Sequence, residues 1–152
     1  MGYIVVGVDG TEGSVAALRW AARQAVRLDA DLVAVHAWPS SRGPAAVAER
    51  DLRGARSAVR DNMLSWVSSA LDPQTTPVRV RVEVRFGRPA AVLPAVARSA
   101  LALVLGDNNA QGSPEAAWLR ARCQATALCP VVVVRSVDGQ VVAGPTVIGA
   151  QQ

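Results

Sequence analysis

Residues 3–38 read YIVVGVDGTEGSVAALRWAARQAVRLDADLVAVHAW, and this stretch decides the fold. It opens with a short apolar run, rich in β-branched residues and ended by Gly10, which predicts a buried strand over 3–9. Residues 14–28 repeat apolar side chains at helical spacing and carry arginines on another face, so we expect an amphipathic helix. A second apolar run, 31–38, predicts the next strand. The stretch therefore forms a strand–helix–strand unit.

The rest of the chain continues this alternation of strands and helices. Such alternation indicates an α/β fold with a parallel sheet, right-handed crossovers and helices on both faces. Ligands bind such sheets outside the carboxyl ends of the strands, where the strand order reverses. The loops after Asp9 and Gly106 are expected to line that crevice. Further helices are predicted over about 45–71, 87–100 and 113–128, and further strands over 78–85, 101–106 and 130–136.

Residues 78–85, VRVRVEVR, alternate between valines and charged side chains. A strand of this pattern has one face in water, which predicts a position at the edge of the sheet. Its arginines are interpreted as protection of that edge rather than as an RNA-binding surface.

Composition and charge limit the classes of function. The chain has 152 residues, enough for one domain, and a formal net charge of +4 in which all 16 basic residues are arginine. The absence of lysine excludes a P-loop lysine and a Schiff base. The arginines are dispersed among acids, so a mixed-charge surface is favoured and an Arg-rich nucleic-acid binder is the weaker alternative. We find neither a membrane-spanning run nor a signal peptide, which predicts a cytoplasmic protein.

The sequence offers no motif of an enzyme or of a metal site. The glycine-rich segment 7–14 is neither GxGxxG nor a Walker A motif, and no GxSxG nucleophile elbow is present. Cys123 and Cys129 lie six residues apart, a spacing that fits no zinc or redox motif. We therefore expect no catalytic residue, no metal, and two buried, inert thiols.

Three segments resemble the universal stress protein family: IVVGVDGTEGSVAALRWAARQA, DLVAVHAW, and the closing ALCPVVVVR. The likeness runs from about Tyr3 to Arg135. It implies a Rossmann-like, five-stranded parallel sheet ordered 3-2-1-4-5, with a universal stress protein domain over 1–136. This order puts strand 78–85 at an edge, and strands 1 and 4 beside the point where the order reverses.

Members of the family that bind ATP carry, after the fourth strand, Gly, two residues, Gly, nine residues, and then Gly-Ser or Gly-Thr. In this chain the first glycine is Gly106 and the second position is Asn109. Nine further residues lead to positions 119–120, which are Leu-Arg. Counting back from the Cys-Pro pair leads instead to positions 117–118, which are Ala-Trp. Neither count restores the Gly-Ser pair.

A Gly-Ser pair does occur at positions 112–113, but it lies too early, and Pro114 removes an amide there. Glu115 adds a carboxylate to the first turn of the helix, where a phosphate would have to lie. The ATP-binding motif is therefore interpreted as degraded, and no cofactor is expected. The predicted function is a dimeric, universal-stress-protein-like module that acts in the stress response without binding ATP.

Other parts of the family's nucleotide pocket are better preserved, so an adenine-nucleotide sensor that binds AMP or ATP is the alternative. The resemblance implies that Asp9 lies near the nucleoside and that the backbone of Ala37 faces the base. Asp9 could equally cap the first helix. Asn108 and Asn109 would be substitute phosphate donors, because asparagine tolerates left-handed backbone. The candidate pocket comprises Asp9, Ala37, Gly106, Asn108, Asn109, Gly112 and Ser113.

The fifth strand and the tail bear on partners. An apolar strand with no protection at a sheet edge tends to pair with a second strand, and the resemblance implies a homodimer through this element. The tail, 137–152, has two interpretations. Asp138-Gly139 is a type I′ hairpin signal, whereas 144–150 echo residues 2–8 as the stub of a second repeat. The predicted dimer edge is Val131, Val132, Val133 and Val134.

Overall fold

The computed structural model describes residues 2–38, 49–107 and 114–149. Strands and helices alternate as far as the fifth strand, as the sequence predicts, and a sixth strand then follows without a helix between. The strands are β1 (Tyr3–Gly7), β2 (Asp31–Trp38), β3 (Val80–Phe86), β4 (Ala102–Asp107), β5 (Val131–Arg135) and β6 (Val141–Ala143). The helices are α1 (Glu12–Leu28), α2 (Glu49–Ala70), α3 (Pro89–Val96) and α4 (Pro114–Thr126). No described helix is long and apolar enough to cross a bilayer.

The strands form one sheet in the order β3-β2-β1-β4-β5-β6. The first five strands pair in parallel, which confirms the α/β fold and the predicted order. The sequence predicted five strands, whereas the sheet has six, because β6 pairs antiparallel with β5. The order reverses between β1 and β4, so a crevice opens at the carboxyl ends of these two neighbouring strands.

Helices cover both faces of the sheet and create two cores. On one face α1 and α2 bury residues such as Leu18 and Met63 against the sheet. On the other face α3 and α4 bury Leu93 and Cys123. The central strands contribute to both cores, since Ile4 belongs to the first and Val5 to the second. Strands buried on both faces explain the continuous apolar runs in the sequence.

The ends of two helices differ from the prediction. Helix α1 begins at Glu12 instead of residue 14, because Thr11 caps it and its side chain accepts a hydrogen bond from the Ser14 amide. Helix α3 is confined to Pro89–Val96 rather than 87–100, and Pro94 lies inside it. The first residue of the helix predicted over 113–128, Ser113, lies outside the described residues.

Strand β3 lies at one edge of the sheet, as its alternating pattern predicts. Val82 is buried, whereas Arg81 and Arg85 are exposed. Arg60 of α2 reaches over this edge, and its guanidinium donates a hydrogen bond of 2.8 Å to the Val82 carbonyl. The helix thereby occupies a backbone acceptor that a further strand would need.

The expectation that Val131–Val134 form an exposed edge is wrong, since β6 covers the outer side of β5. All four valines are buried. The tail folds back as a hairpin, but its turn is not type I′, which requires a positive φ at both central residues. Gly139 has a φ of 69°, whereas Asp138 is not in the left-handed region. The turn is instead a longer loop in which the Gly139 amide donates to the Arg135 carbonyl.

Candidate functional site

A cavity opens at the carboxyl ends of β1, β2 and β4, where the strand order reverses. Its floor consists of strand ends, and its walls consist of α3, α4 and the first turn of α1. Three residues of the predicted pocket, Asp9, Ala37 and Gly106, line it together. Asn108, Asn109, Gly112 and Ser113 lie outside the described residues. The other described residues that line it are Gly7, Val8, Ser14, Val35, His36, Pro89, Leu93, Leu105, Ala116, Leu119 and Arg120.

The Asp9 carboxylate is engaged by the entry to α1. Its Oδ1 accepts hydrogen bonds from the Thr11 hydroxyl at 2.6 Å and from the Thr11 amide at 3.0 Å. Thr11 is itself the N-cap of the helix. Asp9 is therefore not itself the N-cap predicted for it but binds Thr11, which is, and Asp9 also lines the cavity.

Ser14 lines the cavity but is absent from the sequence-based pocket. It is buried, its hydroxyl donates to the Thr11 carbonyl at 3.0 Å, and its Oγ accepts from the Asp9 amide at 3.4 Å. A hydroxyl in the first turn of a helix that follows a strand is the signal that could have found it. Ser14 and Asp9 together fix the backbone at the start of α1.

His36 ties β1 to β2 at the edge of the cavity. Its Nδ1 lies 2.8 Å from the Val8 carbonyl. Because a carbonyl only accepts, Nδ1 carries the proton. The ring also contacts the ring of Trp66 edge to face, with centroids 6.0 Å apart. These contacts hold the imidazole in one orientation and give it a packing role at the ends of two strands.

Gly106 lies against the backbone of α1. A Cβ added at Gly106 would lie 2.3 Å from both the carbonyl carbon and the carbonyl oxygen of Gly13, and 2.7 Å from the Ser14 amide nitrogen. These contacts are with backbone atoms, which cannot move aside as a flexible side chain can. The absence of a side chain at Gly106 is therefore required by the packing of α1 on β4, with or without a phosphate.

A largely buried ion pair lies at the carboxyl end of β4. Asp107 ends β4 and Arg120 lies on α4, with Nη1 of the arginine 3.5 Å from Oδ1 of the aspartate. Their side chains are only 9% and 18% exposed, respectively. Asp107 was not among the predicted site residues. An acid that directly follows Gly106 in an apolar strand is the sequence feature that could have identified it. In this site the pair brings a carboxylate and its counter-charge next to the cavity.

The two cysteines lie close to one another in the core formed with α3 and α4. Burial raises the pKa of the Cys123 thiol to about 11, and burial also raises the pKa of Cys129. Cys123 is buried as predicted, whereas Cys129 is only partly buried. In the parts of the chain that the structure describes, no group of three or more His, Cys, Asp or Glu residues could hold a metal ion.

Sequence comparison relates the chain to one family. A family model described as "Universal stress protein family" matches residues 1–135. Among curated relatives in Mycobacterium tuberculosis H37Rv, universal stress protein Rv3134c is 31% identical over 134 residues, and Rv2028c is 35% identical over 137. These alignments cover 86% and 87% of this chain but 47% of each relative. The chain thus spans about half the length of the curated relatives it matches.

Solved structures share the fold at low sequence identity. Universal stress protein UspA from Lactobacillus plantarum is 22% identical with a TM-score of 0.66, over 88% of this chain and 97% of that one. A universal stress protein from Archaeoglobus fulgidus in complex with dAMP is 22% identical with a TM-score of 0.64 over the same shares. A universal stress protein in complex with cAMP is 18% identical with a TM-score of 0.64, over 89% and 97%.

Proposed function

The chain belongs to the universal stress protein family, and on that premise we propose that it is a stress-response module whose pocket does not bind ATP. The observation that carries this proposal is the pair of side chains at positions 119–120. In the ATP-binding members that the chain resembles, these positions hold a glycine and a hydroxyl residue. Here they hold a leucine and an arginine that face the cavity.

The two ways of counting the motif place its last two positions at 119–120 or at 117–118, and the cavity supports the first. Leu119 and Arg120 both line it. By contrast, Ala117 and Trp118 are exposed on α4, with Trp118 56% exposed. The count of nine residues after Asn109 therefore matches the geometry. Leu119 is half-buried and packs against the core formed with α3, so its side chain fills space that a glycine would leave open.

The charges at this end of the cavity also oppose a triphosphate. The Arg120 guanidinium is paired with Asp107, so its positive charge is largely compensated. The pair therefore offers a triphosphate no net positive charge, and the Glu115 carboxylate in the first turn of α4 adds to the negative charges at this end of the cavity. The sequence contains no lysine that could offset these charges.

The size of the cavity also supports the proposal that ATP does not bind. The residues that line it enclose about 90 Å³. Pockets that bury a small-molecule ligand usually hold ~300–1,000 Å³. The enclosed part of this cavity is therefore smaller than such pockets usually are.

The proposal is tested by restoring the motif. The triple variant Asn109→Gly, Leu119→Gly and Arg120→Ser recreates every position of the ATP-binding pattern, and the same positions changed to alanine serve as the control. In thermal unfolding with millimolar Mg-ATP we expect no shift for the wild type or the control. The restored variant should gain about 2.7 kcal/mol at ~100 times its dissociation constant, which is several degrees. An ATP-dependent shift in the wild type would refute the proposal.

A nucleoside or AMP sensor is the second candidate, and one observation favours it. Asp9, Ala37 and Gly106 lie around the same cavity, and solved structures of this fold contain cAMP or dAMP. A thermal shift with AMP and none with ATP would support a surviving nucleoside half of the pocket. Failure of AMP, ADP, ATP and cyclic nucleotides alike to bind would rule this candidate out.

A further inference from the structure

The last described segment of the chain, residues 140–149, runs along the outer side of β5 and is here named the C-terminal strap. It begins at the hairpin loop, forms β6 against Val133 and Val134, and ends beneath α1. β6 is only three residues long, and its pairing contains a register shift between Val133 and Val134. The strand pairing alone is therefore a weak attachment.

Contacts beyond β6 keep the strap on β5. Gly144 lies so close to β5 that an added Cβ would be 2.2 Å from the Val131 carbonyl oxygen, and its φ is 88°. Only glycine fits both this distance and this conformation. The strap therefore covers β5 from Arg135, whose amide donates to the Gln140 carbonyl at 2.8 Å, back to Val131.

The end of the strap is anchored in the core. Ile148 is 2% exposed and belongs to the core that α1 forms with the sheet. Its amide donates to the Gln24 side chain at 3.2 Å, and its carbonyl accepts from the Arg27 guanidinium. One buried isoleucine with both backbone groups bonded to α1 is a specific attachment that a passive tail would not need.

The surface beneath the strap is suited to a second strand. Val131, Val132, Val133 and Val134 form an uninterrupted β-branched run with no charge, and without the strap the backbone groups on their outer side would be unpaired. The opposite edge of the sheet differs, since β3 carries exposed arginines and Arg60 occupies the Val82 carbonyl. Of the two edges, only that of β5 would be long, apolar and unguarded if uncovered.

We propose that the C-terminal strap takes the place of a partner strand, and that a second copy of this chain pairs through β5 only when the strap is displaced. The partner is a second copy because antiparallel pairing of two β5 strands about a two-fold axis buries the same apolar run on both sides. With the strap bound, the chain is a monomer. The homodimer expected from the sequence is thereby conditional on movement of residues 140–149.

The test expels the strap in the full chain and measures the oligomeric state. Gly144→Val places a side chain against the Val131 carbonyl, and Ile148→Asp puts a carboxylate in the α1 core. Val147→Asp is the matched control, because Val147 is 41% exposed and adjacent to Ile148. In sedimentation velocity at micromolar concentration we expect the wild type and Val147→Asp at 15.8 kDa, and both strap variants at twice that mass.

Amide exchange followed by NMR locates the contact. The Val133 amide points toward β6, on the same side as that of Arg135. In the strap variants this amide should exchange at least tenfold faster in dilute samples and regain protection as the concentration rises. Four results would each overturn the proposal: a wild-type dimer, unchanged exchange in the strap variants, strap variants that stay monomeric, or open-ended aggregates in place of dimers.

Discussion

Gly106 illustrates how a residue of a binding motif can have a purely structural cause. The resemblance gives this glycine a role in admitting phosphate, whereas the structure gives it a contact with the backbone of Gly13. The resemblance could predict that a glycine was needed near the end of β4. It could not predict which neighbour requires it, because Gly13 is more than 90 residues away in the chain.

Gly106→Ala should destabilise the protein by about 3 kcal/mol, since the added methyl group meets backbone atoms that cannot rotate away. Gly54→Ala is the control. Gly54 lies inside α2 with nothing within 4 Å of an added Cβ, and alanine there should stabilise the helix by about 0.5–1 kcal/mol. Urea unfolding of both variants measures the difference. Equal stability of the two variants would contradict the packing role of Gly106.

Cys123 predicts a pH dependence of stability. Burial raises the pKa of its thiol to about 11, above its ordinary value of 9.0. The folded state therefore keeps the proton over a range in which the unfolded chain loses it. This contribution is complete below about pH 9 and is lost as the pH rises from 9 to 11, with a magnitude of about 2 kcal/mol.

Unfolding free energies of wild type and Cys123→Ala at pH 8 and pH 10.5 test this dependence. The wild type should lose stability over that range by more than the variant does, because alanine has no proton to release. A variant that loses as much stability as the wild type would show that another group titrates.

Among the elements, the region where β1 leads into α1 was predicted only in part. The strand and the helix were both predictable, because their apolar periods differ. Their junction was not, since it depends on the Asp9–Thr11–Ser14 hydrogen bonds rather than on hydropathy. Likewise α3 was predicted too long, because a composition rich in alanine and valine gives no sign of where the helix ends.

Asp9→Ala should cost about 1 kcal/mol of stability, since it removes the acceptor of two hydrogen bonds at the start of α1. Asp9→Asn retains an oxygen acceptor at the same place and should lose less than half as much. Urea denaturation of the two variants separates a capping role from a role of the charge. Wild-type stability in Asp9→Ala would argue that the carboxylate serves only a ligand.

For the whole molecule, the sequence was sufficient for the parallel sheet, but it offered the last strand as only one of two interpretations of the tail. Alternating apolar runs predicted five strands, and the pattern of β3 predicted one edge. The covering of β5 depends on contacts between residues more than 120 positions apart, such as those of Ile148 with Gln24 and Arg27. Local patterns contain no information about such pairs. The same limit applies to Arg120, whose partner Asp107 lies on another element.

Taken across the molecule, the crevice and the edge have both been altered by side chains of this chain itself. Leu119 and Arg120 line the crevice that we propose to be closed to a triphosphate, and the strap covers the outer edge of β5, where we propose that a second copy would pair. The fold of the family is retained, and we propose that both the nucleotide pocket and the dimer edge of this chain are covered.

The most direct measurement is isothermal titration calorimetry of the wild-type chain with Mg-ATP at physiological ionic strength, with AMP titrated in parallel. For the wild-type chain we expect no saturable heat with ATP up to millimolar concentration, whether or not AMP binds. Saturable binding of ATP with a dissociation constant below a millimolar would contradict it, because Leu119 and the Asp107–Arg120 pair would then not close the phosphate end of the cavity.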